Sequence, residues 1–296
     1  MTMPGRPMRW LQHPLTRGMD VDDPRTTERR RSIIRGKAFL SRLYEEWYGL
    51  IGRRIPAGEG LVIELGSGAG FMRERIPGVI TTDVLQVAGV DRVLPAGGPW
   101  PFAAGSLRAV VMTDVLHHIG DPRSLFREAT RTVRPGGAVV MIEPWVSPWS
   151  RFVYRRLHSE PFRPEAERWE FPSSGPLSGA NGALPWIMFE RDRELFEREF
   201  PDWSLAALEP LMPFSYLLSG GVSLRSLAPG WAYGPCRALE RRFERGRAGM
   251  AMFALIKLVH LPTDATGQRQ ATGGGPGPPG RRRDPRPPAG SPGSAT

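Results

Sequence analysis

Among 296 residues there is one cysteine, Cys236. That excludes a disulfide framework and a thiolate zinc site, and it points to a reducing compartment. Lysine is nearly as scarce: of 40 basic residues only Lys37 and Lys257 are lysine. The net charge of +10 is carried by arginine and divided among both ends and the middle of the chain. Spread so thinly, it does not describe a phosphate-binding surface, and no nucleic-acid partner is expected. No run of about 18 apolar residues occurs, so no transmembrane segment is expected. Residues 1–31 lack the apolar stretch of a secretion leader. These absences lead to an expectation of a soluble, cytoplasmic protein. The 40% of hydrophobic residues suffice for a sizeable core, so disorder throughout is excluded.

Residues 1–31 and the Gly-, Pro- and Arg-rich tail 262–296 offer little to bury, and both are expected to be disordered. Between them, residues 32–261 read as one domain. Ile33, Ile34, Leu40, Leu43, Trp47, Leu50 and Ile51 recur at helical spacing and predict a helix over 32–55. Short apolar runs at 61–65, 79–82, 90–94, 107–113 and 138–142 then predict buried strands. Residues 121–133 predict a helix that Asp121 caps, Pro122 opens and Pro135-Gly136-Gly137 stops. Strands alternating with helices mean an α/β fold with a doubly wound, mostly parallel sheet. A helix at 190–200 and strands at 203–208 and 250–259 complete the pattern. Residues 144–189 and 211–243 break it and read as acceptor-side insertions.

The chemistry concentrates in Val62-Ile63-Glu64-Leu65-Gly66-Ser67-Gly68-Ala69-Gly70. A strand ends in an acid, and three alternating glycines let a ligand approach the backbone closely. The dinucleotide fingerprint needs a glycine at 71; Phe71 stands there, which argues against NAD and a nicotinamide-dependent oxidoreductase. Asp83 ends the second strand. An acid in that place accepts hydrogen bonds from ribose hydroxyls, so the ligand contains a nucleoside.

These features resemble the class I S-adenosylmethionine-dependent methyltransferases. Three segments carry the likeness: Glu64 to Gly70, Thr113-Asp114-Val115-Leu116-His117-His118-Ile119, and Val133-Arg134-Pro135-Gly136-Gly137. The last two resemble the branch that includes ubiquinone-biosynthesis-type methyltransferases. The resemblance implies a Rossmann-like methyltransferase fold of seven strands with the last antiparallel, and S-adenosyl-L-methionine as cofactor. It implies that Gly66, Ser67, Gly68 and Gly70 line the methionine part of the cofactor and that Glu64 supports that loop. Asp83 would bind the ribose, Val84 and Leu85 would flank the adenine, and Thr113, Asp114 and Val115 would border the sulfonium. The stretch from Leu94 to Phe102 lacks the acid that relatives direct at the adenine amine; backbone groups or Asp91 remain for it.

His117 and His118 follow the fourth strand, at the edge where open α/β sheets bind ligands. Either can serve as a catalytic base toward an acceptor hydroxyl, or simply pack and hydrogen-bond locally. No His/Asp/Glu cluster reads as a metal site. Trp145, Trp149 and Trp186 are either core of the insertion or an aromatic wall for the acceptor, and Arg151, Arg155 and Arg156 either hold an anionic acceptor group or are surface charge. The Gly/Ser run 173–182 reads as a lid. The acceptor expected is a small molecule, glycan or lipid-linked compound; the alternative is a non-catalytic module that keeps the fold.

Overall fold

A computed structural model describes residues 13, 20–157, 160–242 and 247–262. The strands are β1 (Leu61–Leu65), β2 (Ile80–Asp83), β3 (Arg92–Val93), β4 (Leu107–Thr113), β5 (Val133–Pro144), β6 (Trp203–Leu211) and β7 (Phe253–His260). Among the described residues they form one seven-stranded sheet in the order β3-β2-β1-β4-β5-β7-β6. β1 to β5 pair in parallel, and β7 runs antiparallel to both β5 and β6. β1, β4 and β5 are apolar almost throughout because both faces of a parallel sheet are covered. The chain leaves β1 toward β2 on one side and later returns to β4 on the other. That reversal opens a crevice above the C-terminal ends of β1 and β4, where such sheets hold ligands.

The helix expected over 32–55 is two helices, α1 (Pro24–Gly36) and α2 (Ala38–Gly52). They part at Lys37, whose backbone is extended (φ −97°, ψ 95°) and whose Nζ donates to the carbonyls of Gly221 and Leu224, each at 2.6 Å. α1 corrects the expectation of a disordered segment through residue 31. Asp23 caps it by accepting from the Arg25 N–H, Pro24 opens it, and Thr26 and Thr27 are buried. Composition registers large apolar side chains, whereas this turn is fastened by threonine methyls and polar bonds. The remainder of 1–31, apart from His13 and residues 20–23, and the tail beyond Pro262 lie outside the described residues.

Only a 3-10 turn, Met72–Glu74, follows the glycine loop before Pro77, as that proline requires. α3 (Pro122–Thr132) has its Asp121 cap, accepting from the Ser124 N–H at 3.1 Å. The insertion carries α4 (Pro148–Leu157), α5 (Leu184–Trp186) and, continuing from it, a π-helical turn at Ile187–Arg191. α6 (Arg193–Glu199), α7 (Ser215–Ser219), α8 (Tyr233–Arg242) and α9 (Arg247–Met250) complete the helices. Trp145 and Trp169 are buried core, and Trp149 is pinned by its indole N–H to the Pro213 carbonyl at 2.8 Å. Of the two readings of the tryptophans, core is the one the packing takes for Trp145 and Trp149. Arg155 and Arg156 lie on the exposed face of α4, beside Glu165 and over the Phe152 ring, while Tyr154 faces inward and donates to the Met252 carbonyl. They do not converge on an anion pocket with Tyr154.

Candidate functional site

β1 delivers the glycine loop to the sheet edge. Gly66 turns at φ +70°, where side chains are disfavoured, and a Cβ there would overlap Val115 Cγ2. The loop is stitched to β2: the Ser67 N–H donates to Thr82 O at 2.9 Å, the Thr82 N–H to Ser67 Oγ at 3.1 Å, and Thr82 Oγ1 to Glu64 O at 2.8 Å. Glu64 lies beneath, fully buried, accepting from Ser67 Oγ at 2.7 Å. Its burial pushes the carboxyl pKa up to about 7, against the pull of the Ser67 bond. Glu64 is therefore placed to support the loop rather than to face a ligand. Gly70 closes the turn by donating to Ser67 O at 2.8 Å, beneath the Tyr48 hydroxyl that accepts from the Phe71 N–H.

Asp83 is buried and joins loop to strand. One carboxylate oxygen accepts from the Gly68 N–H and the other from the Leu85 N–H, both at 2.9 Å. Burial raises its pKa, and the backbone donors of Leu85, Gly68 and Val84 oppose the rise. The carboxylate keeps a further lone pair for a ligand hydroxyl. A Cβ on Gly68 would lie 2.5 Å from Thr27 Cγ2 and 2.6 Å from Asp83 Oδ2. Helix α1 thus crosses the loop, and Arg31 ties it down, donating to Gly68 O from Nε at 3.1 Å and to Ala88 O at 2.7 Å. Sequence reasoning missed Thr27 and Arg31, because nothing local marks a helix that acts on a loop 37 residues on. Asp91, a candidate for adenine, is elsewhere engaged. Its carboxylate accepts from the Thr81 N–H at 2.9 Å and pairs with Arg73, near the start of β2.

β4 ends in the second half of the site. Thr113 Oγ1 is buried without a hydrogen-bond partner. Asp114 adopts φ 62°, unusual for a residue with a side chain, and its N–H donates to Ile142 O at 2.8 Å. Glu143, wholly buried at the neighbouring end of β5, accepts from the Val115 and Leu116 N–H groups on one oxygen, each at 2.8 Å. Its other oxygen lies 2.8 Å from His117 Nδ1. His117 Nε2 faces Glu160 Oε2 at 3.6 Å and Asp114 Oδ1 at 4.0 Å. Burial opposes charge on His117, but the bonds to Glu143 and Glu160 outweigh it and hold its pKa well above the ordinary range. His118 lies beside it, the rings tilted by 42° with centroids 4.2 Å apart. Its Nδ1 donates to Gly179 O at 3.1 Å and its Nε2 lies 3.9 Å from Glu160 Oε2. Burial and the neighbouring His117 lower the His118 pKa to about 4.

The fold therefore gathers the expected residues on one edge. Gly66, Ser67, Gly68, Gly70 and Asp83 form one hydrogen-bonded unit, and Val115 packs against Gly66 to join it to Asp114, His117 and His118. Val84 and Leu85 follow Asp83 on the same edge. Glu143 and Glu160 were missed. Glu143 left a usable signal, an acid ending the strand beside the one that carries the histidines. Glu160 left none, since it stands in the aperiodic stretch after β5. Against the expectation of no metal-type cluster, His117, His118 and Glu160 bring ligand atoms within 4.8 Å of one another.

Residues 63–141 match the family model described as a methyltransferase domain. The chain carries a class I S-adenosylmethionine-dependent methyltransferase domain. No curated protein matches this methyltransferase by sequence. Among solved structures it is similar to the geranyl diphosphate C-methyltransferase from Streptomyces coelicolor A3(2), crystallised with Mg2+, geranyl diphosphate and S-adenosyl-L-homocysteine. That match has 14% identity and a TM-score of 0.47, and covers 85% of this chain and 91% of that one. It is also similar to an S-adenosylmethionine-dependent methyltransferase from Mesorhizobium loti, at 16% identity and a TM-score of 0.42, over 73% of this chain and 98% of that one.

The cofactor of this methyltransferase is S-adenosylmethionine, and the crevice fits it. Thr113 Oγ1 is a buried hydroxyl left unpaired at the strand end, Asp83 keeps a lone pair for a ligand hydroxyl, and Gly66 and Gly68 clear the backbone of side chains. Among the described residues no helix is long and apolar enough to cross a membrane.

Proposed function

We propose that the enzyme methylates a small-molecule or lipid-linked acceptor whose reacting polar atom enters the cluster formed by His117, His118, Asp114 and Glu160. One observation carries this reading: Val115 packs on Gly66, two residues before His117, so the cofactor loop and the histidine pair share one edge of the sheet. When bound, S-adenosylmethionine supplies a methyl group on a sulfonium, open to in-line displacement. On this reading the backbone of Gly66 to Gly70 and the hydroxyl of Thr113 hold the amino-acid end, and Asp83 accepts from the ribose hydroxyls. Val84 and Leu85 flank the base, and Asp114 and Val115 border the reacting carbon. Much of the acceleration then comes from alignment. His117, held cationic by Glu143 and Glu160, donates a hydrogen bond to the acceptor. The neutral His118 is the member of the pair able to take a proton from an acceptor that carries one.

The segment 173–182, read as a lid, is a wall of this cluster, since Gly179 O accepts from His118 and the Asn181 N–H donates to His117 O at 2.8 Å. The catalytic unit on this reading runs from α1 to β7. A lone cysteine supports work in a reducing compartment, the cytoplasm.

The test is formation of S-adenosylhomocysteine from S-adenosylmethionine in the presence of a cell extract freed of protein and nucleic acid, aqueous and lipid fractions assayed apart. Turnover with one of these fractions, lost in His118→Ala while cofactor affinity is kept, is the expected result. Turnover only with the protein or nucleic-acid fraction overturns the acceptor class.

A further inference from the structure

We propose that His117, His118 and Glu160 form a binding site for one divalent transition-metal ion at the acceptor end of the crevice. His118 Nδ1 faces a backbone carbonyl, Gly179 O, which can only accept, so that nitrogen carries the ring proton of a neutral imidazole. His117 Nδ1 faces Glu143, which already accepts two backbone N–H bonds and acts as an acceptor here as well. Once His117 gives up its Nε2 proton to an incoming ion, both rings direct an Nε2 lone pair at the same carboxylate oxygen, Glu160 Oε2, at 3.6 and 3.9 Å.

Two ring nitrogens and a carboxylate oxygen that converge in this way are the donor set of a metal ion. A proton on His117 Nε2 satisfies one of the two approaches and leaves the lone pair of His118 facing Glu160. An ion serves all three. Ligands about 2.1 Å from a tetrahedral centre stand about 3.4 Å apart; the ring-to-carboxylate distances of 3.6 and 3.9 Å are close to that, and all three ligand atoms lie within 4.8 Å of one another. Glu143 behind His117 and Gly179 O behind His118 have the relation to the rings that outer partners have in metal sites, fixing tautomer and ring orientation. Two imidazoles and a carboxylate with no thiolate favour Zn2+, Mn2+, Fe2+ or Co2+ over Mg2+ or Ca2+. Three protein ligands leave positions open, and Asp114 Oδ1, 4.0 Å from His117 Nε2, borders them on the side of the cofactor loop. An acceptor oxygen is the chemical class that fits an open position there. Ion binding uses the lone pair of His118 that proton transfer would use, so it makes the pair ligands instead of a base. It requires no particular acceptor.

The experiment loads the chelator-treated full chain with Zn2+ or Co2+ alone, by equilibrium dialysis and by the visible absorption of bound Co2+. One ion per chain is expected. His118→Ala and Glu160→Gln should each weaken binding by more than about 100-fold, the upper end of what losing an outer partner costs, and Glu143→Gln by about 10- to 100-fold. S-adenosylhomocysteine affinity, measured on the same variants, reports that they are folded. No uptake by the wild-type chain, or unchanged uptake by His118→Ala and Glu160→Gln, overturns the site. Neither readout depends on turnover, so methyl transfer to a small acceptor can fail while the site stands, and the reverse.

Discussion

Replacing Gly66 by alanine tests the joint between the two halves of the site. The position holds φ +70°, and the left-handed region costs a side-chain-bearing residue about 1–2 kcal/mol. The added Cβ would also overlap Val115 Cγ2, and overpacking of this kind costs about 1–3 kcal/mol. Together Gly66→Ala should lose about 2–5 kcal/mol, against a total stability of about 5–15 kcal/mol for a typical domain. The two contributions separate in a double-mutant cycle. Val115→Ala removes the overlapping methyl but leaves the backbone strain, so in the Gly66→Ala background it should return about 1–3 kcal/mol relative to its effect in the wild type. Urea unfolding followed by circular dichroism gives each midpoint, and S-adenosylhomocysteine titration of the same four proteins gives the effect on the site. Wild-type stability in Gly66→Ala would mean that the loop does not hold this turn. Strictly additive effects of the two substitutions would mean that Val115 does not pack on Gly66, which removes the observation linking cofactor loop and histidine pair.

Asp83→Ala should weaken S-adenosylhomocysteine binding about 10- to 150-fold, the worth of one charge-assisted acceptor, and equal calorimetric affinities in a folded variant would take Asp83 out of the site. Arg31→Ala removes the bonds to Gly68 O and Ala88 O and should weaken the same binding about 10-fold without loss of the sheet's circular dichroism; unchanged affinity would make α1 a bystander. Glu64 carries a pH prediction. Its folded pKa, about 7, lies above its ordinary value, so its contribution to stability is complete below about pH 4.5 and is lost as pH rises through 7. That loss amounts to about 3 kcal/mol, and Glu64→Gln should flatten the profile of unfolding free energy between pH 5 and 8; a wild-type profile already flat in that window would refute the buried carboxyl. Asn181→Ala removes the side chain that accepts from the Arg163 and Ala183 N–H groups, so it should lower turnover while cofactor affinity holds, and loss of that affinity would move the 173–182 wall into the cofactor site.

Local sequence was enough for the sheet and for the edge that carries the glycine loop. Strands β1, β4 and β5 are continuous apolar runs because they are covered on both faces, and the ends of β1, β2 and β4 carry the glycines, Asp83 and the histidine pair in that order. Those signals are local: a strand, its terminal acid and the turn after it lie within a few residues. Tertiary structure alone decided what comes to that edge from far along the chain. Thr27 and Arg31 reach the loop because α1 folds back across it, and their segment lacks the large apolar side chains that composition can recognise. Glu143 became a partner of His117 only when β5 paired beside β4 in register, with Thr113 opposite Ile142. Glu160 arrives from a stretch with no period, which the chain orders through polar bonds such as those of Asn181 to the Arg163 backbone. Periodicity reports burial of apolar faces. It is silent about carboxylates whose place is set by the groups they pair with, and for that reason Asp83, which ends an apolar strand, could be read from the chain while Glu160 could not.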